Sequence, residues 1–221
     1  MYIPRTYAEE RPEELAGFIT AHPLGALVTA GASGELFATH VPFVFDPASG
    51  EHGVLEGHLA RANPHHALAR DGTEALVIFT GPDAYVTPNW YPGKATHGRE
   101  VPTWNYVAVH AYGMLRFIDD PAWLLPHLHR LSDRSETDRL APAGETPWRV
   151  DDAPPEFIAQ QMKAIVGVEV RVTRLEGKWK MSQNRTPEAI DAVVAGLGAS
   201  PRAMDREVSA LVAARRPKGS R

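Results

Sequence analysis

The stretch VPTWNYVAVHAYG, residues 101–113, alternates residue by residue in the way a β-strand requires. One face carries Thr103, Asn105, Val107, Val109 and Ala111, a small apolar core stripe with a polar start. The other carries Trp104, Tyr106, Ala108, His110 and Tyr112. That second face is aromatic and hydrogen-bonding, and it suits neither bulk water nor a dry core. A strand of this kind belongs in a sheet whose aromatic face is covered by something other than solvent.

Working outward, residues 11–22 read as a short helix: Pro12 suits its first turn, and Leu15, Phe18 and Ile19 share a face. Strands follow at 24–30 and 35–46, joined by the turn GASG, with Pro42 marking an edge or a bulge. A third strand covers 54–60, and Asn63-Pro64 opens a helix. Strands at 74–81 and 83–91 are expected to break at Gly81-Pro82. The polar loop 92–100 leads into the opening strand, which extends to about Phe117. Residues 121–136 read as a helix disturbed by Pro126, and 141–155 as irregular. A helix over 155–166, a strand over 167–177, and helices over 186–198 (capped by Thr186) and 201–215 complete the chain. About seven mostly antiparallel strands with helices between and after them point to an α+β protein on a small β-barrel, since closure removes exposed edges.

Composition narrows the chemistry. The 221 residues include no cysteine, which removes disulfides, thiolate metal sites and a cysteine nucleophile. The start lacks a basic segment followed by an apolar one, and no apolar run approaches the ~18 residues of a membrane span, so a cytoplasmic protein is expected. A net charge of −4 gives no electrostatic footprint for nucleic acid, and the basic end RRPKGSR reads as a solvated tail. Ten histidines invite a metal, yet HEXXH is absent, and His127 and His129 at i, i+2 point apart on a helix. His65 and His66 read as partly solvated neighbours. Neither a nucleophile elbow nor a GXGXXG or Walker pattern occurs, which disfavours triad hydrolases and Rossmann or P-loop nucleotide binding.

Four clusters remain: THVPF (39–43), GHLARANPHH (57–66), YVTPNWY (85–91) with PTWNY (102–106), and KMSQNR (180–185). They supply Arg61, Lys180 and Arg185 for an anion, and His40, His58, Asn63, Asn105, Ser182, Gln183 and Asn184 as hydrogen-bonding groups. Trp90, Trp104 and Tyr106 offer flat apolar faces. Such a set suits a flat, polar-edged molecule carrying a phosphate. Each cluster also has a structural reading, as a helix cap at Asn63-Pro64 or as solvated strand ends.

In this order, and with MYIP (1–4), ATHVPF (38–43), GHLARANP (57–64), GPDAYVTPNWY (81–91), VPTWNYVAVHAYG (101–113) and MSQNR (181–185), the clusters resemble the PaiB-like family of FMN-binding negative transcriptional regulators. The resemblance implies an FMN-binding split β-barrel over residues 1–197, mostly antiparallel, with flanking helices. Residues 198–221 then form a C-terminal helix and basic tail attached to the same domain. It also implies a homodimer with flavin sites at the interface, so that the partner and the flavin cover the aromatic face of 104–112. Carried over motif by motif, Thr39 and His40 go to the phosphate or ribityl region. His58, Ala60, Arg61 and Asn63 follow the ribityl chain and phosphate, with Arg61 the chief phosphate partner. Trp90, Thr103, Trp104 and Asn105 flank the ring, and Lys180, Ser182, Gln183 and Arg185 close the site. Thr87 and Asn89 stand in YVTPNWY where many relatives have Ser.

The implied regulator role and the acidic chain pull apart, so direct DNA binding is doubtful and regulation is expected to be indirect, through a flavin- or ligand-dependent step. Two alternatives stand beside it. One is a flavin-dependent oxidoreductase using NAD(P)H on a small molecule, with His110 or Tyr106 as a proton donor. The other is a haem-binding split-barrel protein, for which no histidine is singled out as an axial ligand.

Overall fold

The computed structural model describes residues 1–140 and 143–217; the last part of the expected basic tail, 218–221, lies outside them. The described residues form an eight-stranded sheet with seven α-helices. The strands are β1 Ala8–Glu9, β2 Leu24–Ala30, β3 Leu36–Pro42, β4 Val44–Asp46, β5 Val54–Ala60, β6 Glu74–Val86, β7 Thr103–Ile118 and β8 Ile165–Lys180. The helices are α1 Pro12–Ala21, α2 His65–Leu68, α3 Gly93–Thr96, α4 Pro121–Leu140, α5 Pro155–Met162, α6 Pro187–Gly198 and α7 Ala203–Ala214. The sheet order is β3-β2-β6-β7-β8-β5-β4, with β1 added on β8. The pairings β1–β8, β2–β3, β2–β6, β4–β5 and β5–β8 are antiparallel. No described helix is long and apolar enough to cross a membrane.

Two compact units share this chain. The first comprises 1–15, 80–109 and 176–221; the second comprises 16–79 and 110–175. In the second unit, β2 buries Gly25, Leu27 and Thr29 on one face, and Val77 and Phe79 of β6 lie against Gly25, where a Cβ would meet them. Gly57 of β5 has the same role under Val41 and Phe43, and Gly113 of β7 leaves no room for a Cβ, which would sit 2.3 Å from the Arg171 carbonyl oxygen. In the first unit, α6 and α7 pack together and bury Ile190, Val193, Leu197, Val208 and Val212. Thr186 caps α6 by accepting from the Ala189 N–H, as its sequence position predicts.

Four expectations are corrected. The strands at 74–81 and 83–91 are one strand, β6, through Gly81-Pro82. Its register with β2 ends at Ile78, so beyond that point Pro82 owes no ladder hydrogen bond on that side. The helix over 121–136 runs unbroken through Pro126 to Leu140; proline removes a single ladder bond there, and burial of Leu124 and His127 holds the helix down. The helix begun at 155 ends at Met162, not 166, because Ile165 and Val166 pair with Ala60 and Leu59 and join β8. The expected strand over 35–46 is interrupted at Phe43, after Pro42, and β3 lies at the end of the sheet order, as an edge proline requires.

Along β7, Asn105, Val107, Val109 and Ala111 are buried, which is the expected core stripe. On its other face Trp104 is 51% exposed, while Tyr106, His110 and Tyr112 are half-buried.

Candidate functional site

In the first unit, strand alternation turns Thr103 and Asn105 to one side of β7 and Trp104 to the other. The end of β8 brings Lys180 to Thr103: its ammonium donates to Thr103 Oγ1 and to the Trp104 carbonyl. The chain then turns. The Arg185 N–H donates to the Ser182 carbonyl (2.9 Å), and Gln183 braces the turn by accepting from the Met181 N–H (2.7 Å) and donating to the Trp179 carbonyl (2.6 Å). Gln183 is therefore spent on its own loop. Ser182, at φ 63°, is the one described non-glycine residue in the left-handed region, a conformation that costs about 1–3 kcal/mol and survives where the surroundings hold it. What holds it is Asn105, fully buried, whose amide donates to Ser182 Oγ (3.0 Å) while the hydroxyl lies 3.2 Å from Asn105 Oδ1.

Around this pair lies a cavity of ≈ 160 Å³ lined by Tyr7, Thr103, Asn105, Lys180, Ser182, Asn184 and Arg185. Arg185 donates to Glu100 Oε2 (3.0 Å) and stacks its guanidinium 4.5 Å from the Tyr91 ring centre. Burial lowers the Lys180 ammonium below its usual range, helped by the charges of Lys178 and Arg185. Burial raises the Tyr7 phenol, against the opposing pull of Arg185, so Tyr7 stays a protonated donor. Tyr91 is buried with its hydroxyl unpartnered among the described residues. Trp90 packs against Gly196 of α6, where a Cβ would lie 2.4 Å from its ring. Trp104 meets Tyr85 edge-on at 5.9 Å, and both are exposed.

In the second unit the expected residues gather around two buried imidazoles. His65, fully buried, holds Thr39 Oγ1 at Nδ1 and Thr29 Oγ1 at Nε2, both at 2.9 Å, and its own N–H donates to Asn63 Oδ1. Asn63 also donates to Thr39 Oγ1 (3.3 Å). The partly solvated His65 of the sequence reading is thus a correction: it is the hub of a closed network, and burial lowers its pKa. The signal for it was Thr29, a polar residue on the inward face of β2. His58 Nδ1 lies 3.1 Å from His127 Nε2, and Trp123 stacks on His127 at 5.1 Å. His127 is fully buried, with Nδ1 unpartnered among the described residues, and burial, His58 and Arg130 together lower its pKa to about 3. The Arg61 guanidinium makes four hydrogen bonds, two to Asp119 (2.9 and 2.5 Å) and one each to the carbonyls of Lys163 and Ile165. A phosphate at Arg61 would have to displace Asp119. Ala60 ends β5 beside Ile165, and His40 is exposed on β3.

Residues 1–174 match the family model FMN_bind_2, described as "Putative FMN-binding domain". The chain is 36% identical to "Uncharacterized protein AN0679" of Emericella nidulans, over 89% of this chain and 90% of that one. It is 32% identical to "Protease synthase and sporulation protein PAI 2" of Bacillus subtilis, over 84% and 83%. The fold is similar to that of the FAD and heme binding protein from Mycobacterium smegmatis (TM-score 0.55, 16% identity, 79% of this chain and 73% of that one). It is equally similar to the conserved hypothetical protein Rv2991 from Mycobacterium tuberculosis (TM-score 0.55, 15% identity, 84% and 94%). The antiparallel sheet with flanking helices is that of the flavin-binding split barrels.

Proposed function

The chain belongs to the FMN_bind_2 family of FMN-binding proteins, with a PaiB-type relative in Bacillus, and from that premise we propose that it works as a homodimeric flavoprotein whose regulatory effect is indirect. The observation that carries the proposal is the division of the candidate residues across β7. Thr103 and Asn105 face the donor-lined cavity, while Trp104, beside Tyr85, stands exposed on the opposite face. Cations, amides and hydroxyls fit the phosphate and the polar edge of FMN, and exposed aromatic rings fit its heterocycle. A flavin that uses both sets is served by two copies related by a two-fold axis, each offering its cavity to one site and its aromatic face to the other. The same arrangement covers the exposed aromatic pair, which a lone copy leaves to water.

When bound, FMN supplies electron or hydride transfer; the chain's own residues bind and orient it. Lys180, Arg185, Thr103, Asn105 and Ser182 are the polar holders, and Trp104 with Tyr85 is the apolar surface. The indirect character of regulation is supported by the basic C-terminal residues themselves. Arg215 pairs with Glu9 and Glu14, and Arg216 with Asp191, so neither offers an open cation to DNA. Here Arg215 departs from the expected solvated tail, while Arg216 is paired and still exposed. Residence in the cytoplasm belongs to the same reading.

A second reading, the flavin-dependent oxidoreductase, draws on His110. Its Nδ1 is buried and unpartnered among the described residues, and burial lowers its pKa, which suits it to accept a proton rather than to be the expected donor. The test is reconstitution with FMN followed by size separation and a visible spectrum. Flavin bands travelling with a dimer are expected. Protein that retains no flavin ends the proposal, and flavin on a monomer ends its dimeric part. Flavin-dependent NAD(P)H oxidation then decides for the second reading.

A further inference from the structure

The cavity of the first unit is unusual in what it leaves out. Each of its seven lining side chains carries a hydrogen-bond donor, and none is a carboxylate. Of the two cations, Arg185 is balanced by Glu100, whereas Lys180 bonds only to a hydroxyl and a carbonyl and pairs with no carboxylate among the described residues. Asn105 and Ser182 donate to each other, amide N–H to hydroxyl and hydroxyl to amide oxygen, which uses both acceptors and the Ser182 proton and leaves Tyr7, Asn184 and Lys180 to donate. A polar cavity of this make-up calls for an anion.

Size limits the anion. The ≈ 160 Å³ amounts to the share of about five water molecules, below the roughly 300 Å³ at which drug-sized ligand pockets begin. It admits a phosphate group and excludes a tricyclic heterocycle. The strained Ser182 is the kind of backbone outlier that persists where a site needs a side chain held in place. Lys180, Ser182, Asn184 and Arg185 also fall after residue 174, where the family match ends.

We infer that this cavity is a phosphate subsite, in which Lys180 supplies the charge and Tyr7 and Asn184 supply further donors, while the Ser182–Asn105 pair shapes its wall. Its occupant is a phosphate monoester, either the FMN phosphate or that of a separate small molecule. The first source rests on the FMN reading above; the second does not. The geometry thereby moves phosphate binding away from Arg61, whose guanidinium is committed to Asp119 and two carbonyls.

The test uses the whole chain without added flavin. Thermal melting is followed against inorganic phosphate at constant ionic strength, for the wild type, Lys180→Gln and Asn184→Asp. Asn184 is exposed, so its variant folds even where loss of Lys180 does not. Phosphate should raise the wild-type Tm saturably, and both variants should need at least about tenfold more phosphate for the same shift. No phosphate response in the wild type, or an equal one in both variants, overturns the subsite. Titration with FMN and with riboflavin, which lacks the phosphate, then separates the sources. An FMN preference that collapses in Lys180→Gln assigns the cavity to the cofactor's phosphate. A phosphate response with no such preference, or one that survives the substitution, assigns it to another phosphate ester. A phosphate response in a protein that binds no flavin keeps the subsite and ends the FMN reading.

Discussion

The cavity of the first unit and the imidazole clusters of the second are built from the same residue types, yet they differ in how their polar groups are spent. Around His65, every named partner is used: two threonine hydroxyls take its ring nitrogens and Asn63 takes its N–H. Arg61 is equally committed. Around Ser182 the donors outnumber the acceptors that the described residues give them, and Lys180 has no carboxylate partner among those residues. Closed networks stabilise a core, whereas open ones wait for a ligand.

The comparison breaks most visibly with acid. An imidazole in the unfolded chain titrates near ~6.5, whereas the fold holds His127 at about 3 and lowers His58 and His65 as well, chiefly through burial. Between those values the unfolded state binds more protons. Stability should therefore be fully present above about pH 6.5 and fall toward pH 3, by ~1.4 kcal/mol per pH unit for each proton taken up. Urea midpoints from pH 7 to pH 4 should show this slope, and His127→Gln should flatten it; an unchanged slope would show that the pair does not titrate on unfolding.

Next in size, His65→Leu should cost about 2–4 kcal/mol in urea unfolding, because Thr29, Thr39 and Asn63 lose their common partner inside the core. The phosphate response of the first unit should survive, which sharpens the contrast. A loss of under about 0.5 kcal/mol would mean the network rearranges around leucine.

Arg61→Ala should cost about 0.5–1 kcal/mol, since the guanidinium is more than a third exposed and its pairing with Asp119 is screened. Flavin affinity should stay within about twofold, less than the loss of one charged hydrogen bond would give. A tenfold fall would return the phosphate to Arg61. Smallest of all, Trp104→Ala should change stability by no more than about 0.5 kcal/mol, its ring being exposed. Dimer mass and flavin retention should fall nonetheless; a variant that keeps both would remove Trp104 from the site.

Much of the fold was legible because its signals are local. The alternation of 103–111, the bounds of β2 and β5, the Thr186 cap and the edge proline of β3 all follow from side-chain period and backbone chemistry. Gly81-Pro82 and Pro126 misled for a shared reason: their disruptive effect depends on whether a neighbouring strand or a packed helix face compensates for the missing N–H, and that neighbour is distant in sequence. The strand period already set Trp104 opposite Asn105, but it could not show that Trp104 meets Tyr85 on an exposed surface or that Asn105 pairs with Ser182.

By itself, then, the sequence determined an α+β chain of antiparallel strands with capped helices and an FMN-binding family, because period, caps and motif order are properties of neighbouring residues. Only the tertiary structure decided which histidines, threonines and arginines satisfy one another and which cation is left for a ligand. A hydrogen-bond donor is spent or available according to what the fold places within about 3 Å of it, and that partner can come from anywhere in the chain.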